Sequence, residues 1–331
     1  MTGDLPTRPL GSTGLTVTVL GLGLAALGRP AYIDLGRHED LGVDRSTGRM
    51  ERRAHAVLDA AYAAGVRYVD AARSYGRAEA FLASWLEARG LAPGSVTVGS
   101  KWGYRYVGDW RMDATVNEVK DHSLAAFEQQ RSESFALLDG HLRLYQIHSA
   151  TLESGVLDDR AVLGALAELG SQGTVVGLSV SGPRQPEVVR RALEVEVDGT
   201  NPFGCVQATW NVLEPSVGPA LAEAAGAGWG VLVKEAVANG RLTAHGPGPV
   251  RAPLDRVAQR RGASADQVAL AAVLDQPFVS AVLSGAVTPA QLESNLGARE
   301  LDLDDEDRAE LGALAEDPEA YWGTRTALPW A

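Results

Sequence analysis

Cysteine, lysine and long apolar runs are scarce in this sequence, and each shortage excludes a class of protein. Among 331 residues there is one cysteine, Cys205, which excludes an internal disulfide and a cysteine-based metal site. No apolar run reaches the roughly 18 residues of a membrane helix, and the N-terminus lacks the apolar core of a signal peptide. We therefore expect a soluble, cytoplasmic protein that binds no metal and no membrane.

Positively charged residues are also fewer than negatively charged ones. Lysine and arginine together number 30 against 42 aspartates and glutamates, which gives a formal net charge of -12. No basic cluster is dense enough to follow a phosphate backbone, so we expect no nucleic-acid partner. Only three of the cations are lysines, Lys101, Lys120 and Lys234. Because arginine supplies nearly all of the positive charge, a lysine at the end of a strand indicates a position that requires an amine rather than a guanidinium group.

The chain alternates between short apolar runs and helical patterns. Eight runs rich in β-branched residues predict strands, namely Val19–Leu24, Val66–Asp70, Val96–Lys101, Leu142–His148, Val175–Ser179, Cys205–Thr209, Gly230–Lys234 and Val279–Ser284. Strands that alternate with helices in this way predict an α/β protein with a (β/α)8 TIM barrel, and an open doubly wound sheet is the alternative. We expect one domain over residues 1–331.

Three segments lie outside the alternation. Residues 8–18 place two glycines between short alternating runs and predict a hairpin at the barrel floor. Residues 30–50 form a polar, glycine-rich insert after the first strand, and they show no helical period. Residues 316–331 contain several aromatic residues and predict a C-terminal tail over the barrel. Because substrate pockets are usually built by loops, the insert and the tail are candidate pocket walls.

Four ionisable residues follow three successive predicted strands. Asp70, Lys101 and His148 end the second, third and fourth runs, and Tyr75 follows Asp70 closely. In a barrel of this type the active site lies at these strand ends. A tyrosine has an ordinary pKa of about 10, and a neighbouring ammonium favours its ionised form. A carboxylate would hold that ammonium and a neutral histidine would orient a substrate oxygen, so the four predict proton donation to a carbonyl.

These residues stand in motifs that resemble those of the aldo-keto reductases. The matching segments are Asp-Ala-Ala-Arg-Ser-Tyr-Gly at 70–76, Gly-Ser-Lys-Trp at 99–102, Leu-Tyr-Gln-Ile-His at 144–148, Leu-Gly-Ser-Thr-Gly-Leu at 10–15 and Asn-Gly-Arg-Leu at 239–242. The resemblance implies NAD(P)H-dependent reduction of an aldehyde or ketone, or the reverse oxidation of an alcohol or sugar. It implies NADP(H) as the preferred cofactor, with NAD(H) possible, and a small-molecule carbonyl or sugar substrate. It does not predict the oligomeric state.

The resemblance also implies cofactor contacts. Gln207 and Ser179 would bind the nicotinamide carboxamide, and Trp210 would stack on the ring with its broad aromatic face. The remaining implied contacts are Gly21, Gly23, Lys234, Gly285, Ala286, Gln291 and Asn295. The family often has Asn directly after the strand-five serine, whereas this chain has Val180. The implied second contact to the carboxamide is therefore missing.

Two further expectations concern the substrate and the choice of cofactor. Arg73, Trp102 and Tyr104 are the predicted substrate contacts. The resemblance places Gly285 and Gln291 at positions where members of the family can have lysine or arginine to bind the adenosine 2′-phosphate. Arg299 is the possible substitute for these missing cations. Because arginine and lysine form the strongest hydrogen bonds to phosphate, we predict only a modest preference for NADP(H), about tenfold.

Other interpretations remain open at this stage. The segment Gly-Leu-Gly-Leu-Ala-Ala at 21–26 fits a dinucleotide fingerprint, but no helix follows it directly. A short-chain dehydrogenase needs tyrosine four residues before lysine, and those positions hold Thr97, Val116 and Gly230. Two classes stay as alternatives. One is a Schiff-base lyase that uses Lys101 or Lys234, and the other is a cofactor-binding sensor or regulatory protein on the reductase fold.

Overall fold

The protein is built around a closed barrel of parallel strands. A computed structural model describes residues 5–33, 35–138 and 140–330. Its strands are β1 (Thr7–Pro9), β2 (Thr16–Thr18), β3 (Leu20–Gly23), β4 (Tyr68–Asp70), β5 (Thr97–Trp102), β6 (Tyr104–Tyr106), β7 (Glu118–Lys120), β8 (Leu142–Ala150), β9 (Val175–Val180), β10 (Cys205–Thr209), β11 (Gly230–Lys234) and β12 (Ala281–Ser284). The barrel order is β3-β4-β5-β8-β9-β10-β11-β12, with β12 pairing back to β3. The predicted (β/α)8 barrel is confirmed, and each barrel strand lies on one of the eight predicted runs.

Helices surround the barrel. Their bounds are α1 (Arg37–Leu41), α2 (Thr47–Ala63), α3 (Ala78–Ala88), α4 (Leu124–Leu138), α5 (Arg160–Ser171), α6 (Gln185–Leu193), α7 (Gly218–Gly226), α8 (Gly248–Arg261), α9 (Ala265–Leu274), α10 (Pro289–Gly297), α11 (Asp305–Gly312) and α12 (Pro318–Thr326). Within these described elements, no helix has both the length and the apolar character that crossing a bilayer requires.

The insert after β3 differs from its prediction as a loop without helical period. It contains α1, and α2 begins at Thr47, inside the predicted insert. A buried arginine explains how so polar a segment folds against the barrel. The guanidinium of Arg37, which is 1% exposed, donates to the carbonyl oxygens of Ala26, Arg29 and Pro30. Since buried carbonyls need donors, this one side chain supports the turn that a hydrophobic pattern would not predict.

The hairpin of β1 and β2 closes the floor of the barrel. Its Leu10 and Val17 are fully buried and pack against the inward-facing Tyr68, Leu144 and Leu232 of the strands. Gly11 permits this close fit, because its φ is 55° and a Cβ there would lie 2.3 Å from the backbone nitrogen of Gly230. The floor is therefore filled with apolar side chains, and the polar groups are left for the opposite end.

The C-terminal tail lies at that opposite end. Its last helix is α12, and beyond it Trp330 forms an isolated β-bridge with Ile33 of the insert. The Trp330 ring also meets the ring of Tyr32 edge-on, with centroids 6.3 Å apart. Tail and insert thus contact each other at the end of the barrel where the strands finish.

Candidate active site

A buried ion pair anchors the site. Asp70 is the last residue of β4, and its carboxylate pairs with the ammonium of Lys101 from the neighbouring strand β5. Lys101 is 0% exposed and Asp70 is 2% exposed. The Lys101 ammonium also donates to the carbonyl oxygen of Ala71 at 3.0 Å and to the hydroxyl of Tyr75 at 3.4 Å. Strand pairing therefore brings three of the four predicted catalytic residues into contact.

The other oxygen of Asp70, Oδ2, is held by neutral donors. The Gln207 amide donates to it at 2.9 Å, the Tyr68 hydroxyl at 3.2 Å and the Gln146 amide at 3.4 Å. All of these side chains are buried inside the barrel. A buried carboxylate is stable only when it is paired and hydrogen-bonded, and Asp70 meets both conditions. Asp70 is thereby fixed in place, and Lys101 with it.

His148 is the fourth member and faces Tyr75. Their rings meet edge-on with centroids 5.3 Å apart. Nδ1 of His148 lies 3.2 Å from the hydroxyl of Ser74, which leaves Nε2 available to another group. The β8–β9 register shifts directly after His148, and Ser149 has a φ of 48°, in the left-handed region that non-glycine residues seldom adopt. The Ser149 amide donates to the hydroxyl of Ser179 at 2.8 Å, which supports this local geometry.

Burial sets the protonation of these groups. It raises the pKa of the Tyr75 phenol well above the usual value, and the charge of Asp70 raises it further. Burial lowers the pKa of the Lys101 ammonium, although Asp70 opposes this effect. It also lowers the pKa of His148 well below the usual value, with Lys101 acting in the same direction. Near neutral pH the phenol therefore carries its proton and the imidazole is neutral.

One sequence expectation is corrected by these environments. The ammonium of Lys101 was predicted to bring the pKa of Tyr75 down towards neutrality. In the structure burial dominates, because the charge of Lys101 is largely neutralised by the adjacent Asp70 carboxylate. Tyr75 is accordingly arranged as a proton donor, and the ammonium can stabilise the phenolate left after the proton has gone.

A cavity of about 260 Å³ lies beside the site at the strand ends. The predicted site residues on its wall are Gly23, Asp70, Tyr75, Tyr104, His148, Gln207, Lys234 and Gly285. Lys101 lies behind this wall against Asp70. Strands from around the whole barrel thus contribute to one cavity, as the sequence analysis expected for this end of the fold.

Two of the predicted substrate residues do not line this cavity. The Arg73 guanidinium forms ion pairs of 2.5 Å with Glu79 and with Glu133, on the side of α3 and α4. Trp102 is 0% exposed, and its ring packs edge-on against Phe127 with centroids 5.0 Å apart. Both side chains therefore contact the surrounding helices and do not face the cavity. A side chain at the end of a barrel strand can turn outward, towards the helices, as well as inward.

Several predicted cofactor residues also lie away from the cavity wall. Trp210 packs edge-on against Phe278 with ring centroids 6.2 Å apart, and it is not among the residues that line the cavity. Gly21 is a packing glycine, since a Cβ there would lie 2.6 Å from the ring of Tyr68. Ser179 lies behind Ser149. The sequence gives no signal for the direction in which the indole of Trp210 turns.

The segment after β12 makes mostly internal contacts. Ala286 is buried. The Gln291 amide is occupied at both ends, since it accepts from the Val287 amide at 2.9 Å and donates to Asp40 at 2.6 Å. The Asn295 side chain is 2.8 Å from the Ser284 hydroxyl. Only Gly285 of these predicted contacts lines the central cavity.

The cavity wall also contains charged and aromatic residues that the sequence analysis did not single out. They are Arg29, Tyr32, Glu118, Glu235, Arg325 and Trp330. The Arg29 guanidinium pairs with Glu118 at 2.6 Å and lies over the rings of Tyr32, Tyr75 and Trp330 at 4.9, 5.2 and 5.0 Å. These residues come from the start of the insert and the residue before it, from the β7 strand, from the end of β11 and from the tail. Their only signal in the sequence was the general expectation that insert and tail form the pocket.

Charge pairing defines one side of the cavity. Arg325 of α12 binds Glu235 through two nitrogens. Burial alone would raise the pKa of Glu235, but Arg325 and Lys234 outweigh it and hold that pKa at about 2. Burial lowers the pKa of Lys234 to about 8, and its ammonium donates to the Thr209 hydroxyl at 2.7 Å. The tail is thus fastened to the barrel by an ion pair inside the cavity.

Among the described residues that line the cavity, three have a buried polar atom without a hydrogen-bond partner, namely Nε of Arg29, Oδ1 of Asn239 and Oε1 of Gln207. Oε1 of Gln207 is buried and accepts no hydrogen bond from any of the described residues, while its Nε2 is committed to Asp70. A buried acceptor without a donor is costly, so it indicates a place for a ligand N–H group. The amide of a nicotinamide supplies such a donor. On this observation the residues present fit the cofactor that the sequence motifs imply.

Comparisons with known proteins show the family to which the chain belongs. The family model described as Aldo/keto reductase family matches residues 20–316. Aldo-keto reductase str7 of Strobilurus tenacellus is 25% identical, over 95% of this chain and 93% of that protein. The crystal structure of PA4992 from Pseudomonas aeruginosa is 27% identical with a TM-score of 0.65, and the match covers 91% of this chain and 99% of that one.

A further solved structure supports the fold alone. Aldo-keto reductase AKR11C1 from Bacillus halodurans, in its holo form, has a TM-score of 0.70 at 22% identity, over 95% of this chain and 97% of that one. Aldo-keto reductases use nicotinamide cofactors and act on carbonyl groups. The chain belongs to the aldo-keto reductase family, and it is an NAD(P)H-dependent oxidoreductase that acts on carbonyl groups.

Proposed function

We propose that the protein reduces an aldehyde or ketone and that Tyr75 donates the proton. The observation that carries this proposal is the arrangement of Tyr75 between Lys101, 3.4 Å from its hydroxyl, and His148, whose ring meets it edge-on at the cavity wall. A protonated phenol, a neutral imidazole and a buried ammonium are the groups that protonation of a carbonyl oxygen requires.

The cofactor would be held by residues of the cavity wall. Gln207 Oε1 would accept from the carboxamide, with Gly23 and Gly285 allowing close approach of the backbone. Ser149 and Ser181 line the cavity, whereas Ser179, which accepts from the Ser149 amide, is not among the lining residues. When bound, the reduced nicotinamide supplies the hydride that the carbonyl carbon accepts.

The chain's own residues handle the proton. Nε2 of His148 would orient the carbonyl oxygen, because Nδ1 is already occupied by Ser74. The Tyr75 hydroxyl then gives its proton to that oxygen as the carbon is reduced, so an alcohol and a phenolate result. Lys101 stabilises the phenolate, and Asp70 keeps Lys101 in position. In the reverse direction the same phenolate would remove the proton of an alcohol.

Replacing Tyr75 by phenylalanine tests the proposal. The phenyl ring keeps the contacts with His148 and Arg29 but loses the proton, so kcat should fall at least about a hundredfold. NADPH binding, followed by fluorescence titration, should be unchanged. Tyr145→Phe is a matched control, because Tyr145 is also buried but packs against Phe127 and Phe135 outside the cavity. Near-normal turnover of Tyr75→Phe would exclude this residue as the donor.

The cavity wall favours a small polar substrate. Besides the aromatic rings of Tyr32 and Tyr104 it presents the Arg29–Glu118 and Glu235–Arg325 pairs, whose charges favour hydroxyl-bearing ligands over hydrocarbon chains. Glyceraldehyde and propanal have the same number of carbon atoms and differ in hydroxyl groups. We expect glyceraldehyde to have the higher kcat/KM by about tenfold or more, and equal values would show that the pairs do not contact the substrate.

Schiff-base chemistry has less support. Lys101 is ion-paired with Asp70 and lies behind the cavity wall. Lys234 does reach the wall, but its ammonium is hydrogen-bonded to Thr209 and lies beside the Glu235 carboxylate. Treatment with borohydride in the presence of a carbonyl substrate should therefore leave the chain unmodified.

A further inference from the structure

A groove of about 370 Å³ lies next to the cofactor-binding end of the barrel, and arginines dominate one of its sides. Arg49, Arg52 and Arg53 of α2 line it, and across from them are Val287, Thr288 and Pro289, at the start of α10. We propose that these three arginines bind the 2′-phosphate of NADP(H), and that they give the protein its choice of cofactor. This proposal rests on the proposed function.

The three arginines share one face of α2. They stand at positions i, i+3 and i+4, which are neighbours on a helix surface. Arg53 donates to the backbone carbonyl of Asp40 at 3.0 Å, and none of the three has a carboxylate within ion-pair distance among the residues that the structure describes. On a chain with a net charge of -12, a group of three arginines without an ion-paired carboxylate is unexpected and indicates an anionic ligand.

Their place in the helix strengthens this interpretation. Arg49, Arg52 and Arg53 stand in the first two turns of α2, and the first turn has no acidic residue. The N-terminal end of a helix carries partial positive charge, so cations there reduce stability and anions increase it. The groove is also bounded by the N-terminal end of α10, capped by Thr288. Two helix dipoles and three guanidinium groups therefore favour an anion in the same groove.

The groove is continuous in sequence with the central cavity. Ser284 and Gly285 line the cavity, and Val287 to Pro289 line the groove. A dinucleotide whose nicotinamide meets Gln207 would run along this loop and place its adenosine end at the groove. Among adenosine groups, the 2′-phosphate alone distinguishes NADP(H) from NAD(H).

Two carboxylates near the groove limit its positive charge but do not cancel it. Asp40 lines the groove, and its carboxylate is occupied by the amide of Gln291 at 2.6 Å. Asp44 is close enough for Arg49 and Arg52 to lower its pKa, but its first partner is the backbone of Ser46. Arg299, the substitute that the sequence analysis considered, pairs with Glu300 and lines a different groove.

The three arginines of α2 raise the expected preference for NADP(H) over NAD(H). The sequence alone predicts only a modest preference for NADP(H), because positions 285 and 291 after β12 hold neither arginine nor lysine. The structure brings the missing cations from α2, which is more than 200 residues distant in sequence. Two charge-assisted contacts to phosphate are enough for a preference of about a hundredfold.

The test compares two probes that differ only in the 2′-phosphate, adenosine 2′,5′-bisphosphate and 5′-AMP. Isothermal titration at fixed salt should give at least about a hundredfold tighter binding of the bisphosphate. In the Arg49→Gln/Arg52→Gln variant, this difference should fall below about tenfold, through loss of bisphosphate affinity alone. These two side chains are exposed and have no hydrogen-bond partner among the described residues, so the fold should survive.

A second variant controls for overall charge. Arg143→Gln/Arg160→Gln removes the same number of charges from exposed positions outside the groove, and it should leave both affinities unchanged. Equal binding of the two probes by the unmodified protein would overturn the inference, as would an equal loss of both in the α2 variant. If the inference were overturned in this way but NADPH and NADH still bound and Tyr75 were still required for turnover, the proposed function would stand without the arginine site. If neither dinucleotide bound, the proposed function itself would fail.

Discussion

Replacing Lys101 by methionine should destabilise the protein because it leaves a carboxylate alone in the interior. Asp70 is 2% exposed, and Lys101 is its only cationic partner within ion-pair distance among the described residues. Removing one member of a buried pair costs about 3–5 kcal/mol. Donors from Gln207, Tyr68 and Gln146 remain on Asp70, so we expect the lower end, about 3 kcal/mol.

The two partners should not be equivalent. In Asp70→Asn the ammonium of Lys101 is left alone, but burial has already lowered its pKa, and it can become neutral by releasing a proton. We therefore expect a smaller loss, about 1–2 kcal/mol. In the double variant neither charge remains, and methionine fills most of the volume of lysine. The double variant should therefore be more stable than Lys101→Met alone.

Urea unfolding at pH 7, followed by circular dichroism, gives the free energy of unfolding of all four proteins. The expected order of stability is wild type, then Asp70→Asn and the double variant, then Lys101→Met. The coupling between the two positions should be at least about 1 kcal/mol. If Lys101→Met and the double variant were equally stable, the lost stability would come from packing at Lys101, and the argument about an unpaired carboxylate would be refuted.

The barrel and the catalytic group could be predicted because their signals are local. Each barrel strand is a short apolar run, and the strand order around the barrel follows the chain. Once Asp70, Lys101 and His148 are placed at successive strand ends, parallel pairing alone brings them together. For the same reason Tyr75, five residues beyond Asp70, could be assigned to the site.

Side-chain direction could not be predicted in the same way. Trp102 ends β5 and Trp210 follows β10, and both rings pack against another aromatic ring away from the cavity, because large aromatic rings are stable wherever they find apolar neighbours. Gln291 was expected to meet the cofactor, but its amide is occupied by Val287 of the loop after β12 and by Asp40 of α1. These outcomes depend on the neighbours of each ring or amide, which lie far away in sequence.

Residues brought in by distant segments were also missed. Arg325 reaches the cavity because α12 packs back over the barrel, and Arg29, directly before the insert, lies there against Trp330 of the tail. The arginines of α2 were visible in the sequence as a short basic run. Nothing near them in the sequence indicates that they face the start of α10, so their role could not be predicted from the overall charge.

Two predictions follow from the remaining contacts. Trp102→Ala should lower stability by about 3–5 kcal/mol, measured by urea unfolding, and should not raise KM selectively for large substrates, because the ring packs on Phe127 outside the cavity. Glu235→Gln should lose its full share of stability at pH values above the usual pKa of glutamate, and progressively less at lower pH. The ion pair with Arg325, helped by Lys234, holds the pKa of Glu235 at about 2, below its ordinary value of 4.5. The carboxylate therefore contributes about 3 kcal/mol at pH 7, and this contribution is lost as pH falls from about 4.5 towards 2. Urea unfolding at pH 7, 5 and 3 gives the difference in free energy of unfolding between the wild type and the variant, and this difference should shrink only at pH 3. A difference that stayed constant down to pH 3 would mean that the charge of Glu235 does not hold the tail on the barrel.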